Sequence, residues 1–132
     1  MTADASQSGH VAASLDAANT VAQIRSGAES DRNTLYAQID ANIKSTRVAL
    51  AHVRREGGEL KGEARAEFNI AFKQVHAREQ ALREDLRTAR HASADASAEV
   101  QSRLASDYQA YADAVATTEA KAEASASAGA KP

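Results

Sequence analysis

Alanine occupies a quarter of this sequence, 33 of 132 positions, and no other feature restricts the fold as strongly. Large apolar side chains are scarce, since Leu, Ile, Val and Phe together number 20. Alanine has the highest helix propensity of any residue, whereas strands favour β-branched and aromatic side chains. The composition therefore predicts an all-α fold of closely packed helices, either an antiparallel helical hairpin or a three-helix, coiled-coil-like bundle with flexible termini.

The remaining composition restricts the class of protein further. The chain has no cysteine, which excludes disulfide frameworks, cysteine-based zinc sites and cysteine catalysis. It contains no apolar run long enough to form a secretory signal or a transmembrane segment, so we expect a cytoplasmic protein. Its net charge of −2 argues against nucleic acid as a partner, because nucleic-acid binders usually carry a strong basic excess.

Glycines and low-complexity stretches predict one helical bundle domain between two disordered tails. The tails are residues 1–9 and 123–132, and the bundle domain is 10–122. Gly27 and the Gly57-Gly58 pair divide the first part of the domain, and the glycine pair predicts a tight antiparallel reversal. The expected helices cover about 10–26, 31–56, 59–90 and 94–122.

The connection at 91–98 leaves two architectures open. It has no glycine or proline, so the helix could continue, yet it also lacks any large apolar side chain. If the chain bends there, the last helix folds back and completes a bundle. If it does not, one long rod forms, and its apolar stripe must be covered by another subunit.

Apolar side chains recur at helical spacing in the last three helices and form narrow stripes. In the first of these helices the stripe lies within about 80° of arc, the strongest amphipathic pattern in the chain. We expect these stripes to be buried against one another or against a partner. The predicted packing seam consists of Leu35, Ile39, Ile43, Leu50, Val53, Phe68, Phe72, Val75, Leu82, Leu86, Leu104, Tyr108 and Tyr111.

No residue pattern points to catalysis or to a cofactor. His52 and Glu56 (i,i+4) and His76 and Glu79 (i,i+3) have spacings at which two metal ligands can share a helix face. A di-iron bundle, however, needs Glu-x-x-His on two helices, and that order does not occur. The sequence also lacks P-loop, dinucleotide-binding and hydrolase motifs, so we predict no catalytic residue, no bound cofactor and no metal site.

Charge is concentrated in the middle of the chain. Residues 44–91 carry 11 basic and 7 acidic side chains, a net charge of +4, whereas the segments before and after each carry −3. The interleaved acidic residues favour a solvated, salt-bridged surface over a polyanion site. The acidic, basic, acidic order favours folding the flanking segments back over the middle helix, or antiparallel pairing between subunits.

Three stretches carry a resemblance to known proteins. They are Tyr36 to Asp40, the charged break at 57–68, and the repeating Glu, Arg and Leu of 79–90. Together they resemble small bacterial Ala/Glu/Lys-rich coiled-coil proteins that are often linked with stress. The size, alanine content, helical pattern and Ala-Lys-Pro ending are also similar to phasins, which coat polyester storage granules. Neither resemblance implies catalytic residues.

These observations predict a non-enzymatic structural or interaction protein that works through coiled-coil-like helix packing. The expected partner is a second copy of the chain or another helical protein, because thin alanine-rich stripes bury little apolar area within one molecule. The alternative is an amphipathic protein that coats a granule or lipid surface, and the middle helix, with its two phenylalanines, suits that function best.

Overall fold

The computed structural model of the protein describes residues 10–26, 32–91 and 97–129. Those residues form helices and contain no strand, which confirms the predicted all-α fold. The helices are α1 (His10–Leu15), α2 (Ala17–Ser26), α3 (Arg32–Gly57), α4 (Gly62–His91) and α5 (Ser97–Gly129). The tail predicted at 1–9 and the last three residues of the tail predicted at 123–132 lie outside the described residues.

The helices pack as a bundle in which α3, α4 and α5 alternate in chain direction. The α4 and α5 helices form the most extensive pair, and Lys121 reaches Glu67 across it at 3.0 Å between Nζ and Oε1. Asp85 and Asp107 face each other further along the same pair, so α5 runs antiparallel to α4. The last helix therefore folds back onto the middle one, and the single-rod alternative is excluded.

The N-terminal segment is two helices instead of the single one expected at 10–26. Asp16 interrupts it with a left-handed φ of 48°, a conformation that aspartate tolerates better than most residues. The break changes which face is buried. Val11 and Leu15 are buried in α1 as their spacing suggests, but Ala18 and Ala22 are exposed, and α2 instead buries a face that includes Ile24.

This N-terminal pair packs against α5 and α3 and adds a further layer to the predicted three-helix arrangement. The charge pattern favoured folding the segment over the basic middle helix, or antiparallel pairing between subunits. The observed position follows from apolar burial, because Leu15 and Ile24 are almost fully removed from solvent. Burying large aliphatic side chains contributes more than screened charge attraction between distant surfaces.

The reversal between α3 and α4 depends on glycine. Gly57 ends α3 in a buried position, and a Cβ atom there would overlap the ring of Phe68. The backbone amides of Glu59 and Leu60 donate to the carbonyls of Glu56 and Gly57 at 3.2 and 3.1 Å. These residues form the turn, so α4 begins at Gly62, with a φ of 61°, and not at about Glu59.

The other helix boundaries differ modestly from expectation. The α5 helix continues to Gly129, beyond the predicted end at 122, so most of the tail predicted at 123–132 is helical. The Ala/Ser/Glu composition of this stretch explains the difference, since it contains no helix breaker before Gly129. Gly27 and residues 92–96, where two of the helix boundaries were expected, lie outside the described residues.

Candidate functional site

The structure places the predicted seam residues in the interior with one exception. The exception is Phe72, which is only partly buried although it packs against the core. The others are buried: Leu35, Ile39, Ile43, Leu50, Val53, Phe68, Val75, Leu82, Leu86, Leu104, Tyr108 and Tyr111. Phe72 is therefore the predicted seam residue that the bundle does not fully cover.

Phe72 lies in a groove between α3 and α4, which contact each other less extensively than α4 and α5 do. The groove has a volume of about 420 Å³. Its floor is apolar and its walls carry several cationic side chains. The lining residues are Arg47, Leu50, Ala51, Arg54, Arg55, Phe72, Val75, His76 and Glu79.

The ring of Phe72 is surrounded by aromatic and cationic groups. Its centroid lies 5.7 Å from that of Phe68 and 5.3 Å from that of His76, and both pairs are tilted. The guanidinium carbon of Arg54 lies 5.8 Å from the centroid of the Phe72 ring. A cation at this distance is attracted to the ring quadrupole, so Arg54 is held over the groove floor.

Glu79 closes one end of the groove with a buried carboxylate. It forms an i,i+4 ion pair with Arg83 at 3.3 Å between Nε and Oε2, and it also accepts a hydrogen bond from Arg47 of α3. Glu79 raises the pKa of Arg47, first through this hydrogen bond and then through its charge. The sequence singled out Glu79 only for its spacing from His76, and the helix pattern did not reveal its cross-helix partner.

Tyr108 joins three helices at the break in the N-terminal segment. Its hydroxyl donates to the carbonyl of Leu15 at 2.6 Å and accepts from the side-chain amide of Asn42 at 3.1 Å. Thr20 also donates to the carbonyl of Leu15, at 3.3 Å. Burial raises the pKa of Tyr108, so the hydroxyl stays protonated and can donate. A buried tyrosine on helix α5 was predicted, whereas this polar network depends on the Asp16 break.

Tyr111, one helical turn further along, is equally buried but sits in a different environment. Burial and then the negative charge of Glu79 raise its pKa, while Arg47 and the hydroxyl of Thr46 oppose that shift. The two tyrosines therefore link α5 to different neighbours. Tyr108 contacts the N-terminal helices, and Tyr111 lies beside the end of the α3–α4 groove closed by Arg47 and Glu79.

Two carboxyl groups meet in the α4–α5 seam. Asp85 is buried on α4 and is hydrogen-bonded to Asp107 on α5. Burial, followed by the hydrogen bond and charge of Asp107, raises the pKa of Asp85 to about 7, against an opposing effect from Arg103. Asp85 therefore keeps its proton at pH values at which an ordinary aspartate is already ionised. Sequence spacing along one helix could not reveal a pairing between two helices.

The histidines considered as metal ligands lie on different surfaces. His76 is in the α3–α4 groove, whereas His52 and Glu56 line a separate cleft of about 500 Å³ together with Glu119. The buried carboxylate of Glu119 accepts a hydrogen bond from the amide of Val11 at 2.8 Å. Among the described residues, no group of three or more His, Cys, Asp or Glu side chains is arranged to hold a metal ion.

Comparison with known proteins finds no match among protein-family models, curated proteins or solved structures. Within residues 10–26, 32–91 and 97–129, no helix combines the length and hydropathy needed to cross a membrane. The site is thus defined by its own geometry: a groove between two helices of an all-α bundle, with an aromatic floor and a basic rim.

Proposed function

We propose that the protein is a non-enzymatic interaction protein that packs its helices against those of a partner, either a second copy or another helical protein. The single observation that carries this proposal is the α3–α4 groove. It leaves Phe72 partly exposed, although the other predicted seam residues are buried within the bundle. A groove between two helices is a common receptor for an amphipathic helix.

The chemistry of the clefts also supports a binding function. The groove is lined by arginines and apolar side chains, with one carboxylate that is already paired to Arg47 and Arg83. Nucleophilic and acid–base catalysis need a nucleophile within reach of an activating base, and this arrangement offers no such pair. A cytoplasmic location and a link to stress-associated or phasin-like proteins stay predictions.

Light scattering at several protein concentrations tests the self-association part of the proposal. Masses that rise from 13.9 kDa toward a multiple of it indicate a second copy as partner. The Phe72→Ser variant should abolish that rise if the groove is the interface, while Ile70→Ser, on the exposed surface of the same helix, should not. A constant monomer mass leaves another helical protein as the partner.

The surface-binding alternative is favoured by polar atoms within the bundle. The hydroxyl of Thr46 and the side-chain carbonyl of Gln101 are buried with no hydrogen-bond partner among the described residues, and such groups weaken the closed state. We propose that, under this alternative, the helices open and lay their stripes on a lipid or granule surface. Circular dichroism with and without vesicles or polymer particles tests it. Loss of near-ultraviolet tyrosine signal with helicity retained, on adding the surface, supports opening.

A further inference from the structure

We infer that the α3–α4 groove binds an acidic amphipathic helix supplied by another protein. This inference rests on the proposed function and names the chemistry of its partner. Three properties of the groove carry it: an apolar floor, two rim arginines that form no ion pair with the described residues, and a length that suits two turns of helix.

The floor offers apolar surface that the bundle itself does not cover. Phe72 remains partly exposed there, while Leu50 and Val75 beneath it are buried. An apolar side chain from a partner could cover the exposed part of the Phe72 ring. Burial of an aromatic side chain in a groove is a typical anchor of helix recognition.

The positive charge of the rim indicates that the partner is acidic. Arg54 and Arg55 form no ion pair within the part of the chain that the structure describes, whereas Arg47 and Arg83 are both held by Glu79. His76 adds a further nitrogen donor on the α4 side. These two arginines therefore lie beside an apolar floor without a carboxylate partner among the described residues. They complement a partner helix whose apolar stripe is flanked by carboxylates.

The length of the groove suits a short helical contact. From Arg47 to Arg55 the α3 wall extends about 12 Å at 1.5 Å per residue, close to the roughly 11 Å of two helical turns. A partner helix would therefore place apolar side chains at i and i+3 or i+4 over Phe72. Its glutamates or aspartates would lie alongside, toward Arg54 and Arg55.

A second copy of the chain is a poorer occupant. Across the described ranges, the large hydrophobic side chains that are exposed are Val48 at 70% and Ile70 at 62%, one on each of two different helices. Neither belongs to an exposed apolar stripe flanked by carboxylates. Among the described residues, then, no helix face of a second copy matches the groove, and a helix from another protein is the better occupant.

Fluorescence anisotropy with labelled synthetic peptides tests the inference on the full chain. The probe is a helical peptide of about 15 residues with a leucine stripe flanked by glutamates, and its counterpart carries lysines in place of the glutamates. We expect saturable binding of the acidic peptide. Arg54→Glu/Arg55→Glu should weaken it at least about tenfold. The matched control, Arg25→Glu/Arg78→Glu, carries the same change in charge outside the groove and should bind normally.

Each alternative outcome has a defined meaning. Equal binding of the lysine peptide overturns the acidic-partner inference but leaves helix docking in place. Failure of both peptides to bind, with mass that increases with concentration in light scattering, overturns the inference in favour of a second copy. Failure of both with a constant mass contradicts the proposed function as well. Binding only to vesicles of phosphatidylglycerol favours a lipid surface and also overturns the inference.

Loss of fold in the charge-reversed variant would mimic loss of the site. Circular dichroism of Arg54→Glu/Arg55→Glu must therefore match that of the unmodified chain. The neutral variant Arg54→Gln/Arg55→Gln gives a second measurement, because it removes the charge without introducing carboxylates beside Glu79. We expect it to weaken acidic-peptide binding by an intermediate factor. Unchanged binding by a folded neutral variant contradicts the inference.

Discussion

The α4–α5 pair and the α3–α4 pair are both antiparallel helix contacts, but they differ in how completely they close. The α4–α5 pair is the most extensive contact in the bundle and encloses the Asp85–Asp107 carboxyl pair. The α3–α4 pair leaves a groove of about 420 Å³ with Phe72 partly exposed. Buried alanines on both helices of the closed pair, Ala71 and Ala89 on α4 and Ala105 and Ala112 on α5, allow close approach, whereas the large ring of Phe72 lies in the open groove.

From this difference we expect the closed pair to stabilise the bundle and the open pair to be the surface that binds a partner. The closed pair supplies apolar burial, to which stability is roughly proportional. The open pair retains an aromatic ring and cationic groups that can still contact another molecule. The following variants test that division, in order of decreasing expected effect on the free energy of unfolding.

The largest effect is expected from a charge placed in the closed region. Leu104 on α5 is fully buried, so Leu104→Asp should lower the free energy of unfolding by about 4 kcal/mol or more, because an unpaired carboxylate loses its hydration. Urea denaturation followed by circular dichroism measures this. The control Val48→Asp, at a site that is 70% exposed, should change stability by about 0.5 kcal/mol or less. Similar losses in the two variants would contradict the assignment of the interior.

The next effect concerns the carboxyl pair in the closed seam. The pKa of Asp85 is about 7 in the folded chain, above the roughly 3.9 of an unfolded aspartate. Between these two pH values the folded state holds a proton that the unfolded state has lost. The stabilising contribution of Asp85 therefore decreases as the pH rises from about 4 to about 7, with no further change above that range. Asp85→Asn keeps a hydrogen-bond donor toward Asp107 without the charge.

Between pH 5 and pH 8 the free energy of unfolding of the unmodified chain should therefore fall relative to that of Asp85→Asn. We expect this relative loss to be at least about 1.4 kcal/mol, the equivalent of one pKa unit. Thermal denaturation at the two pH values measures this difference. Asp113→Asn, at an exposed site on α5, provides the control and should leave the pH dependence unchanged. The same pH dependence in Asp85→Asn and the unmodified chain would refute the raised pKa of Asp85.

A smaller effect distinguishes the two buried tyrosines. Tyr108→Phe removes the hydroxyl that donates to the Leu15 carbonyl, so it should cost about 1–2 kcal/mol. Amide hydrogen exchange should increase mainly in α1 and α2, whose docking depends on that contact. Tyr111→Phe should cost less and leave α1 and α2 protected. Equal exchange in the two variants would argue against a specific function for Tyr108.

The smallest effect is expected at the open pair. The side chain of Arg47 is 56% exposed, so its bond to Glu79 is screened by solvent, and Arg47→Ala should cost about 1 kcal/mol or less. Arg83 continues to neutralise Glu79 in this variant. Repeating the denaturation in 1 M salt should shrink the difference between the variant and the unmodified chain, at a Debye length of about 3 Å. A larger loss that is independent of salt would mean that the α3–α4 contact contributes as much to stability as the closed seam.

Helical spacing was sufficient to predict most of the fold. In α3 the apolar residues recur at one face, and the structure buries Leu35, Ile39 and Ile43 as that spacing requires. The glycine pair correctly located the reversal after this helix, although the steric reason for Gly57, its contact with Phe68, requires the partner helix. Local patterns specify which side of a helix is buried.

Contacts between helices could not be predicted in the same way. The left-handed conformation of Asp16 has no distinctive local signal, yet it moves the buried face of α2 to include Ile24. Likewise the pairings of Arg47 with Glu79 and of Asp85 with Asp107 depend on the relative position of two helices. The candidate groove follows from such a pairing, which is why Phe72 was predicted as part of the seam and not as part of an open site.

Solvent paramagnetic relaxation enhancement by NMR tests the central claim most directly, because it measures which side chains a water-soluble paramagnetic probe can approach. The account predicts weak enhancement at the methyl groups of Ile39, Leu82 and Leu104, and strong enhancement at the ring protons of Phe72. Strong enhancement at those methyl groups in a chain with dispersed, ordered signals would contradict the closed bundle. A protected Phe72 ring in the monomer would contradict the open groove.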